Sequence, residues 1–327
     1  MTNPATSKAR VFVFERYDPT EASLEWLRRE GVELTLGYPM WESPFWRYTE
    51  DELIKMGQGH IAFMGGSVPI TRRIMQEVPS LKFISKFGIG VDSIDLAAAK
   101  EHGISVSNTP EEGQAYSVSE HTVSMLLAFW KRLHRWNGVE LSKGAWRGSD
   151  YAAEIKGKIV GLIGVGRIGR GVADRLNSWG VKIIAYDPNV SEAPVGVDLV
   201  DLNTLLETAD AVSLHAASNN ETFHIINESA LARMKKTAIL VNTGRGALVD
   251  YVALRRALAT GQIAGAALDV FESEPPLPSD EVLTMPNVIC TPHVAAWTKE
   301  NAVSVGWRGA RNVLAMIRGE ATFDRVV

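Results

Sequence analysis

Short β-rich runs alternate with amphipathic helical segments twice along this chain, and no other feature limits its fold as strongly. The first series runs from "RVFVF" at residues 10–14 to "ISVSN" at 104–108. The second runs from "KIVGLIG" at 158–164 to "VICTPH" at 288–293. Strands that alternate with helices in this way form βαβ units around a parallel sheet. We therefore predict an α/β protein with two Rossmann-like, doubly wound parallel-sheet domains.

Two long helical patterns set the predicted domain boundaries. One, at about 117–136, is apolar over much of its circumference, and the other, at 298–318, closes the chain. A helix that is apolar all round is typically buried between domains or subunits. We expect the closing helix to pack on the first series, so that residues 1–108 and 298–327 form a discontinuous first domain. Residues 109–297 form the second domain.

Composition and charge exclude several classes of function. Of the 327 residues, 46% are hydrophobic and 22% are charged, and the formal net charge of −4 offers no basic stripe for nucleic acid. No run approaches the roughly 20 apolar residues of a membrane span, and the N-terminal residues resemble a tail before a first strand rather than a signal peptide. The single cysteine, Cys290, is interpreted as a core residue. We expect a cytoplasmic protein without a nucleic-acid, membrane or metal partner.

A glycine motif lies between the first strand and the first helix of the second series. The segment "KIVGLIGVGRIGRGVADRL" contains Gly164, Gly166 and Gly169 in the spacing G-x-G-x-x-G. The first glycine permits a tight turn, the second lets a diphosphate approach the backbone, and the third lets helix and strand pack closely. Amides at the start of the helix then bind the phosphates. Because the motif has this strand–turn–helix context, it predicts a dinucleotide site.

Asp187 ends the next β-rich run, "VKIIAYD", eighteen residues after Gly169. A carboxylate at this position accepts hydrogen bonds from the adenosine ribose hydroxyls and repels a 2′-phosphate. No arginine or lysine follows within several residues of Asp187. The sequence therefore favours NAD over NADP as the cofactor.

Ionisable side chains follow the later strands of the second series. Because the carboxyl ends of parallel strands meet at one edge of a sheet, we expect these groups to line one crevice beside the nicotinamide. The side chains are His215, Arg245, Asp269, Glu272, Glu274 and His293.

Three of these groups supply what the reduction of a 2-oxo acid requires. Arg245, between two glycines, offers a planar cation that can hold a carboxylate and a carbonyl. His293 offers an acid that protonates the alkoxide formed as hydride reaches C2. Glu274 offers a carboxylate that favours the protonated ring and fixes its orientation. His215 is a competing acid, which we interpret as a residue of the cofactor pocket.

The motifs and their order resemble the D-isomer-specific 2-hydroxyacid dehydrogenases over nearly the whole chain. The matching segments are "KFGIGVDSIDLAAAKEHGISVSNTP", "SVSEHTVSMLLA", "GLIGVGRIG", "ILVNTGRGALVD", "GAALDVFESEPP" and "TPHVA". The resemblance implies that Arg245 orients the substrate and that His293 is the acid/base. It also selects Glu274, through the following "PP", over Glu272, which we interpret as solvated. Asp269 matches the residue that contacts the nicotinamide amide.

The resemblance makes the first domain the substrate-binding (catalytic) domain and the second the NAD-binding domain. The residues predicted to contact NAD are Thr122, Gly164, Gly166, Arg167, Ile168, Gly169, Asp187, His215, Ala216, Thr222, Thr243, Gly244 and Asp269. Those predicted to contact the substrate are Gly65, Gly66, Ser67, Gly90, Arg245 and His293. The segment "HAASNNET" lacks the prolines that are usual there in the family.

The loop "FMGGSVPIT", 63–71, matches the family loop whose backbone amides meet the substrate carboxylate. Members that act on phosphorylated substrates often carry an arginine at the position of Gly65, which disfavours 3-phosphoglycerate here. The aromatic stretch 37–48 and Trp297 either wall the substrate pocket or serve in packing. Both interpretations stay open from the sequence.

The expected function is that of an NAD-dependent oxidoreductase of small D-2-hydroxy acids, of the glyoxylate or hydroxypyruvate reductase type. The alternatives within the family are D-3-phosphoglycerate, formate and phosphite dehydrogenases. A non-catalytic NAD(H)-sensing protein is disfavoured because we see no appended tail for partner recruitment. The family also implies a homodimer built around the long helix and the arm that follows it.

Overall fold

The computed structural model describes residues 9–41, 48–146, 151–322 and 324–327. The chain divides into two compact units, Met1–Gln114 with Thr298–Val327, and Ala115–Trp297. The predicted boundary after residue 108 lies a few residues before the junction between the units. The assignment of substrate binding to one unit and NAD binding to the other stays a prediction.

The first unit is built on a parallel sheet flanked by helices. Its strands are β1 (Arg10–Arg16), β2 (Glu33–Pro39), β3 (Ala62–Gly65), β4 (Phe83–Lys86) and β5 (Ser105–Ser107). Its helices are α1 (Ala22–Arg29), α2 (Glu50–Gly57), α3 (Arg72–Glu77), α4 (Leu96–Glu101) and, from the end of the chain, α11 (Lys299–Ile317). Among the described residues the strand order is β2-β1-β3-β4-β5, and every pairing is parallel.

Alternation along β1 explains why the last helix belongs to this unit. Phe12 and Phe14 point to one face of the sheet, where both rings pack edge-on against Phe63. Val11 and Val13 point to the other face, because alternate residues of a strand point to opposite faces of the sheet. There they form a buried cluster that includes Val305 and Val313 of α11. The closing helix is therefore needed to cover the second face of the sheet.

The second unit is built on a larger parallel sheet. Its strands are β6 (Ile159–Ile163), β7 (Lys182–Tyr186), β8 (Val197–Leu199), β9 (Ala211–Leu214), β10 (Ile239–Asn242), β11 (Gly265–Leu268) and β12 (Val288–Cys290). The remaining helices are α5 (Glu112–Trp130), α6 (Gly138–Ser142), α7 (Arg167–Asn177), α8 (Leu202–Thr208), α9 (Glu228–Arg233) and α10 (Tyr251–Ala259). Two 3₁₀ turns cover Gly246–Leu248 and Glu281–Leu283. In the described part of the chain the strand order is β12-β11-β10-β9-β6-β7-β8.

The strands of the second sheet are in a register that aligns their carboxyl ends. Leu214 of β9 lies beside Asn242 of β10, which lies beside Leu268 of β11. Leu268 in turn lies beside Cys290, the last residue of β12. The residues that follow these four strands therefore leave the sheet along one edge, and Ile163 of β6 continues the same line.

The prediction of two Rossmann-like parallel-sheet domains, the first of them discontinuous, is confirmed. The predicted limits of the long helix were wrong, because α5 ends at Trp130 rather than near 136. Arg132 adopts a left-handed backbone conformation, with φ of 56°, which an α-helix cannot continue. None of the described helices combines the length and the apolar character that a membrane span requires.

Tyr251 provides a test of the packing behind the second sheet. Its side chain is 1% exposed, and its hydroxyl donates a hydrogen bond of 2.5 Å to the carbonyl of Val270. We expect Tyr251→Phe to lower the free energy of unfolding by about 1–2 kcal/mol, since a buried carbonyl loses its partner. Urea denaturation followed by circular dichroism measures the change. Tyr151→Phe, at a side chain that is 89% exposed, is the control, and equal midpoints for the two variants would contradict the prediction.

Candidate active site

Arg245 lies on a loop between two glycines, each of which packs closely against other parts of the chain. A Cβ on Gly244 would lie 3.1 Å from the carbonyl oxygen of Leu214. On Gly246 it would lie 1.9 Å from the carbonyl oxygen of Phe271, so that only glycine fits there. The second contact brings the arginine loop against the segment that follows β11.

Asn242, the last residue of β10, fixes the shape of this loop through two side-chain hydrogen bonds. Its side chain is fully buried. The amide nitrogen donates to the carbonyl of Arg245 (2.9 Å), and the amide oxygen accepts from the backbone N–H of Gly244 (3.0 Å). Asn242 was not among the predicted site residues, although an asparagine at the end of an apolar strand must find buried partners.

Glu274 and His293 form a hydrogen-bonded pair. Nδ1 of His293 lies 2.7 Å from Oε2 of Glu274, whose Oε1 accepts the backbone N–H of Phe271 at 3.0 Å. Burial acts to raise the pKa of Glu274, but the bond to His293, the N–H of Phe271 and the charge of Arg245 together lower it below its ordinary value. The carboxylate is thus held ionised against the ring. Among the described residues, Nε2 of His293 makes no hydrogen bond.

Asp269 holds the loop that carries His293. Its carboxylate, which is fully buried, accepts the hydroxyl of Thr291 (2.6 Å) and the backbone N–H groups of Val294 and Ala295 (2.9 Å each). The backbone N–H of His293 donates to the carbonyl of Asp269 at 2.8 Å. The contact between Asp269 and the nicotinamide amide stays a prediction, whereas its hold on the histidine loop is a feature of the structure.

His121 extends this network. Its Nε2 lies 3.1 Å from the hydroxyl oxygen of Thr291 and 3.7 Å from Oδ1 of Asp269. Because the Thr291 hydroxyl is committed to Asp269, the imidazole donates to that oxygen. This bond could not be predicted from the sequence, since nothing in the local pattern pairs His121 with a threonine 170 residues later.

The two rival residues of the sequence analysis lie in different surroundings. Burial lowers the pKa of His215 to about 4, so that its ring is neutral near pH 7 and a poor proton donor. Its Nε2 bonds instead to the hydroxyl of Ser213 at 2.9 Å. Glu272 lies 3.4 Å from Nε2 of His224 and does not pair with His293.

The glycine-rich turn has the geometry that a dinucleotide diphosphate needs. Gly164 has φ of 94°, and a Cβ on Gly169 would lie 2.2 Å from the Gly164 carbonyl oxygen. Gly166 precedes α7, and nothing lies within 4 Å of where its Cβ would be. Asp187 accepts the backbone N–H of Val165 at 3.0 Å, which ties the end of β7 to the turn. These residues fit the diphosphate and ribose of a bound dinucleotide.

The other predicted cofactor residues surround the same edge of the sheet. The hydroxyls of Thr122 and Thr243 lie 2.8 Å apart, and Thr222 closes a turn by donating to the carbonyl of Ala217 at 2.7 Å. The backbone nitrogen of Ala216 would lie 2.9 Å from a Cβ on Gly164. Arg167 and Ile168 are the first residues of α7.

The predicted substrate loop in the first unit forms hydrogen bonds with strand β1. The backbone N–H groups of Gly66 and Ser67 donate to Oε2 of Glu15 at 2.6 and 2.8 Å, and the Ser67 hydroxyl donates to Oε1. These amides bind the Glu15 carboxylate in this structure, and their contact with a substrate carboxylate stays a prediction. Gly65 ends β3, and Gly90 lies in the loop after β4. The sequence analysis missed Glu15.

The aromatic segment 37–48 is only partly described, because residues 42–47 lie outside the described residues. Tyr48 is buried in the core of the first unit, with its ring centroid 5.9 Å from that of Phe12. Tyr38 and Trp41 are exposed, as is Trp297 in the second unit. Packing therefore accounts for Tyr48, and the pocket interpretation of the exposed rings stays a prediction.

Metal and thiol chemistry find no support in the described ranges. No cluster of three or more His, Cys, Asp or Glu side chains with a metal-binding arrangement occurs among those residues. Burial raises the pKa of the Cys290 thiol to about 11, so that it is not a reactive thiolate near pH 7.

Fold and site together define a dinucleotide-binding protein of the Rossmann type with an Arg–Glu–His constellation at the carboxyl edge of its sheet. Residues 123–295 match the model of the D-isomer specific 2-hydroxyacid dehydrogenase NAD-binding domain. The chain is 42% identical to a glyoxylate reductase of Thermofilum pendens over 77% of this chain and 76% of that protein. It is 39% identical to a hydroxypyruvate reductase of Thermotoga maritima over 86% of this chain and 92% of that protein. The chain belongs to the D-isomer-specific 2-hydroxyacid dehydrogenase family.

A solved structure shares the fold of this chain. The TT0316 protein of Thermus thermophilus is 31% identical and superposes with a TM-score of 0.88, covering 97% of this chain and 100% of that one. The chain also matches D-3-phosphoglycerate dehydrogenases, and it spans about half of their length, 56% and 52% in two cases.

Asp269→Asn tests the hold on the histidine loop. An asparagine presents an NH₂ group to at least one of the backbone N–H donors, which displaces the loop and the ring of His293. We expect kcat for 2-oxo acid reduction to fall roughly a hundredfold, as small misplacements of catalytic groups do, while circular dichroism shows a folded protein. Asp280→Asn, which removes a partner of Arg255, is the matched control. Wild-type kcat in Asp269→Asn would contradict the role.

Glu274→Gln tests the charge beside His293. The carboxylate holds the ring of His293 through Nδ1, and we predict that this ring is the acid in reduction. A glutamine lacks the negative charge that stabilises a protonated ring. We expect kcat for 2-oxo acid reduction to fall roughly tenfold to a hundredfold. Glu272→Gln is the control, and wild-type kcat in Glu274→Gln would refute the pairing.

Proposed function

We propose that this protein is an NAD-dependent reductase of small 2-oxo acids that forms the D-2-hydroxy acids. The observation that carries the proposal is the hydrogen bond of 2.7 Å between His293 and Glu274. The positive charge of Arg245 also contributes to the lowered pKa of Glu274. An imidazole held by a carboxylate beside a guanidinium provides proton transfer and anion binding in one place.

The three side chains have separate roles in the proposed reaction. The guanidinium of Arg245 binds the substrate carboxylate and polarises the 2-oxo group, because it is a permanent cation with several donors in a plane. Bound NADH supplies the hydride that reaches C2. Nε2 of His293, the ring nitrogen remote from Glu274, gives its proton to the developing alkoxide. The carboxylate of Glu274 stabilises the protonated ring before transfer and fixes its orientation.

We propose NAD rather than NADP as the cofactor. Asp187 lies at the end of β7, next to the glycine-rich turn, where its carboxylate faces the position of the adenosine ribose in this type of fold. A 2′-phosphate there would meet a negative charge. The residues that follow, Pro188, Asn189 and Val190, include no cation that would offset it.

We propose glyoxylate or hydroxypyruvate as the type of substrate. The relatives include a glyoxylate reductase that is 42% identical to this chain and a hydroxypyruvate reductase that is 39% identical to it. Gly65 also replaces the arginine expected of members that act on phosphorylated substrates.

We also propose a homodimer formed through the segment after α5. Several large apolar side chains there are exposed in the single chain, among them Val139, Leu141 and Trp146. Exposed apolar groups so close in sequence are typical of an interface. The single cysteine favours a reducing compartment, and we propose the cytoplasm.

A panel of 2-oxo acids tests the function. We expect the absorbance of NADH to fall with glyoxylate and hydroxypyruvate, more slowly with pyruvate and 3-phosphohydroxypyruvate, and less with NADPH than with NADH. Arg245→Ala should lower kcat/KM roughly a thousandfold while the dissociation constant for NADH, from fluorescence, stays within about twofold. His293→Ala should lower kcat to a similar extent.

Arg256→Ala is the control for the arginine, because its side chain pairs with Glu228 on the exposed side of α10. Tight NADH binding without turnover of any acid in the panel would overturn the reductase proposal and favour an NAD(H)-sensing protein. Preference for 3-phosphohydroxypyruvate would instead indicate a phosphoglycerate dehydrogenase.

A further inference from the structure

Two adjacent residues of α5, His121 and Thr122, bond to two different loops at the carboxyl edge of the second sheet. Nε2 of His121 lies 3.1 Å from the hydroxyl oxygen of Thr291. The hydroxyl oxygen of Thr122 lies 2.8 Å from that of Thr243. One turn of α5 therefore contacts both the loop after β10, residues 243–246, and the loop after β12, residues 291–295. We call these the arginine loop and the histidine loop.

Each contacted threonine lies close to a candidate catalytic side chain. Thr243 comes two residues before Arg245, and Thr291 comes two residues before His293. Two residues of chain span at most about 7 Å, so that a fixed threonine restricts where the next functional side chain can lie. The spacing between the guanidinium and the imidazole therefore depends on what holds the two threonines.

The backbone at His293 needs to be held by its surroundings. Its φ is 54°, in the left-handed region that a residue with a Cβ adopts only at a cost. The side chain of His293 is 52% exposed, so that packing around the ring contributes little to its position. The other residues of the histidine loop must therefore supply the restraint.

The hydrogen bond from His121 completes a chain of donors that ends on a buried carboxylate. Thr291 has one hydroxyl hydrogen, which it donates to Oδ1 of Asp269 at 2.6 Å. Nε2 of His121 therefore carries a hydrogen and donates it to the Thr291 oxygen. Hydrogen bonds in such a chain polarise and strengthen one another. Loss of the imidazole donor would weaken the hold of Thr291 on Asp269 as well.

Helix α5 is a firm support for both contacts, because it packs on the second sheet. Its residues Val123, Leu126 and Trp130 are buried in one cluster with Leu162 of β6. The side chain of Thr122 is fully buried as well. The two contacts therefore join the arginine and histidine loops to the core of the second unit, in addition to the bonds that each loop makes with neighbouring strands.

We propose that His121 is a positioning residue that, together with Thr122, fixes the distance between the arginine loop and the histidine loop. His121 acts through Thr291 and takes no part in proton transfer itself. The inference rests on the proposed function and identifies what sets the geometry of its two main groups. Because the acid is displaced when His121 is lost, turnover should fall more than the affinity for the dinucleotide.

Substitutions of His121 test this role with NADH and glyoxylate. His121→Leu removes the donor, and His121→Asn presents an amide too short to reach Thr291. His121→Gln places an amide nitrogen about as far along the side chain as Nε2 of histidine. We expect kcat to fall roughly tenfold in the leucine and asparagine variants and to stay within about threefold of wild type in His121→Gln. Ser124→Ala, which removes a hydroxyl from the exposed side of α5, is the matched control.

The dissociation constant for NADH, from fluorescence, should stay within about twofold of wild type in all these variants. Wild-type kcat in His121→Leu would overturn the proposal. A His121→Gln variant as slow as His121→Leu would also overturn it. So would a dissociation constant for NADH that rises by the same factor as kcat falls.

A double-mutant cycle tests whether His121 acts through Thr291. Thr291→Val removes the hydroxyl and with it the acceptor of the His121 bond. If the two residues act as one unit, the variant that combines His121→Leu with Thr291→Val should have kcat within about twofold of Thr291→Val alone. A further loss of roughly tenfold in the double variant would show independent roles and overturn the proposed route.

Hydrogen exchange supplies a measurement that does not depend on turnover. The N–H groups of Val294 and Ala295 donate to Asp269, so that their exchange with deuterated water reports on the histidine loop. We expect His121→Leu to speed exchange roughly tenfold in a peptide covering 291–297, while a peptide covering β6 keeps its wild-type rate. Unchanged exchange at 291–297, or an equal rise in both peptides, would overturn the inference.

The two kinds of measurement separate this inference from the proposed function. If wild type reduces no 2-oxo acid, the reductase proposal fails, and hydrogen exchange still decides whether His121 holds the histidine loop. If His121→Leu does not fold, as circular dichroism would show, the comparison of His121→Asn with His121→Gln takes its place in both measurements. Equal behaviour of these two polar variants would then overturn the inference.

Discussion

Parallel pairing of strands β9 to β12 in the second sheet is the constraint on which the candidate active site depends. Leu214, Asn242, Leu268 and Cys290 lie side by side, so that the chain leaves β10, β11 and β12 along one edge. Groups that are tens of residues apart in sequence become neighbours through this register alone. Hydrogen bonds then add precision, as the 2.7 Å contact between His293 and Glu274 does. A register shift of one strand would separate the arginine from the imidazole whatever their own contacts were.

Two histidines that follow strands of this sheet differ in burial, and this difference gives their rings different properties. His215 is enclosed beneath the glycine-rich turn, where desolvation keeps its ring neutral. His293 lies on an exposed loop and has a carboxylate partner. The same residue type is therefore a buried neutral ring in one place and a candidate acid in the other, and the difference comes from desolvation and a single charge. Their positions after strands of the same sheet do not by themselves show which of the two histidines is the candidate acid.

Features that depend on a strand and the residues just after it could be predicted from the sequence. The glycine turn, Asp187, Arg245 and His293 are of this kind, because parallel strands bring their ends together. The choice of Glu274 over Glu272 needed the family resemblance as well. Bonds between distant residues left no local pattern: Glu15 meets Gly66 across 51 residues, and His121 meets Thr291 across 170. The end of α5 was misplaced for another reason. The run after Trp130 has ordinary helical residues, and only the left-handed backbone at Arg132 stops the helix.

Asp269 and Glu15 stabilise loops through the same arrangement of hydrogen bonds. Each is a buried carboxylate at or near the end of a parallel strand, and each accepts two consecutive backbone N–H groups and a hydroxyl from a following loop. At Asp269 the loop carries His293, so that satisfying the amides positions a side chain. At Glu15 the same kind of bonds joins the loop after β3 to strand β1. Rigidity is gained in both cases, because loop amides that are bonded internally need no solvent partner.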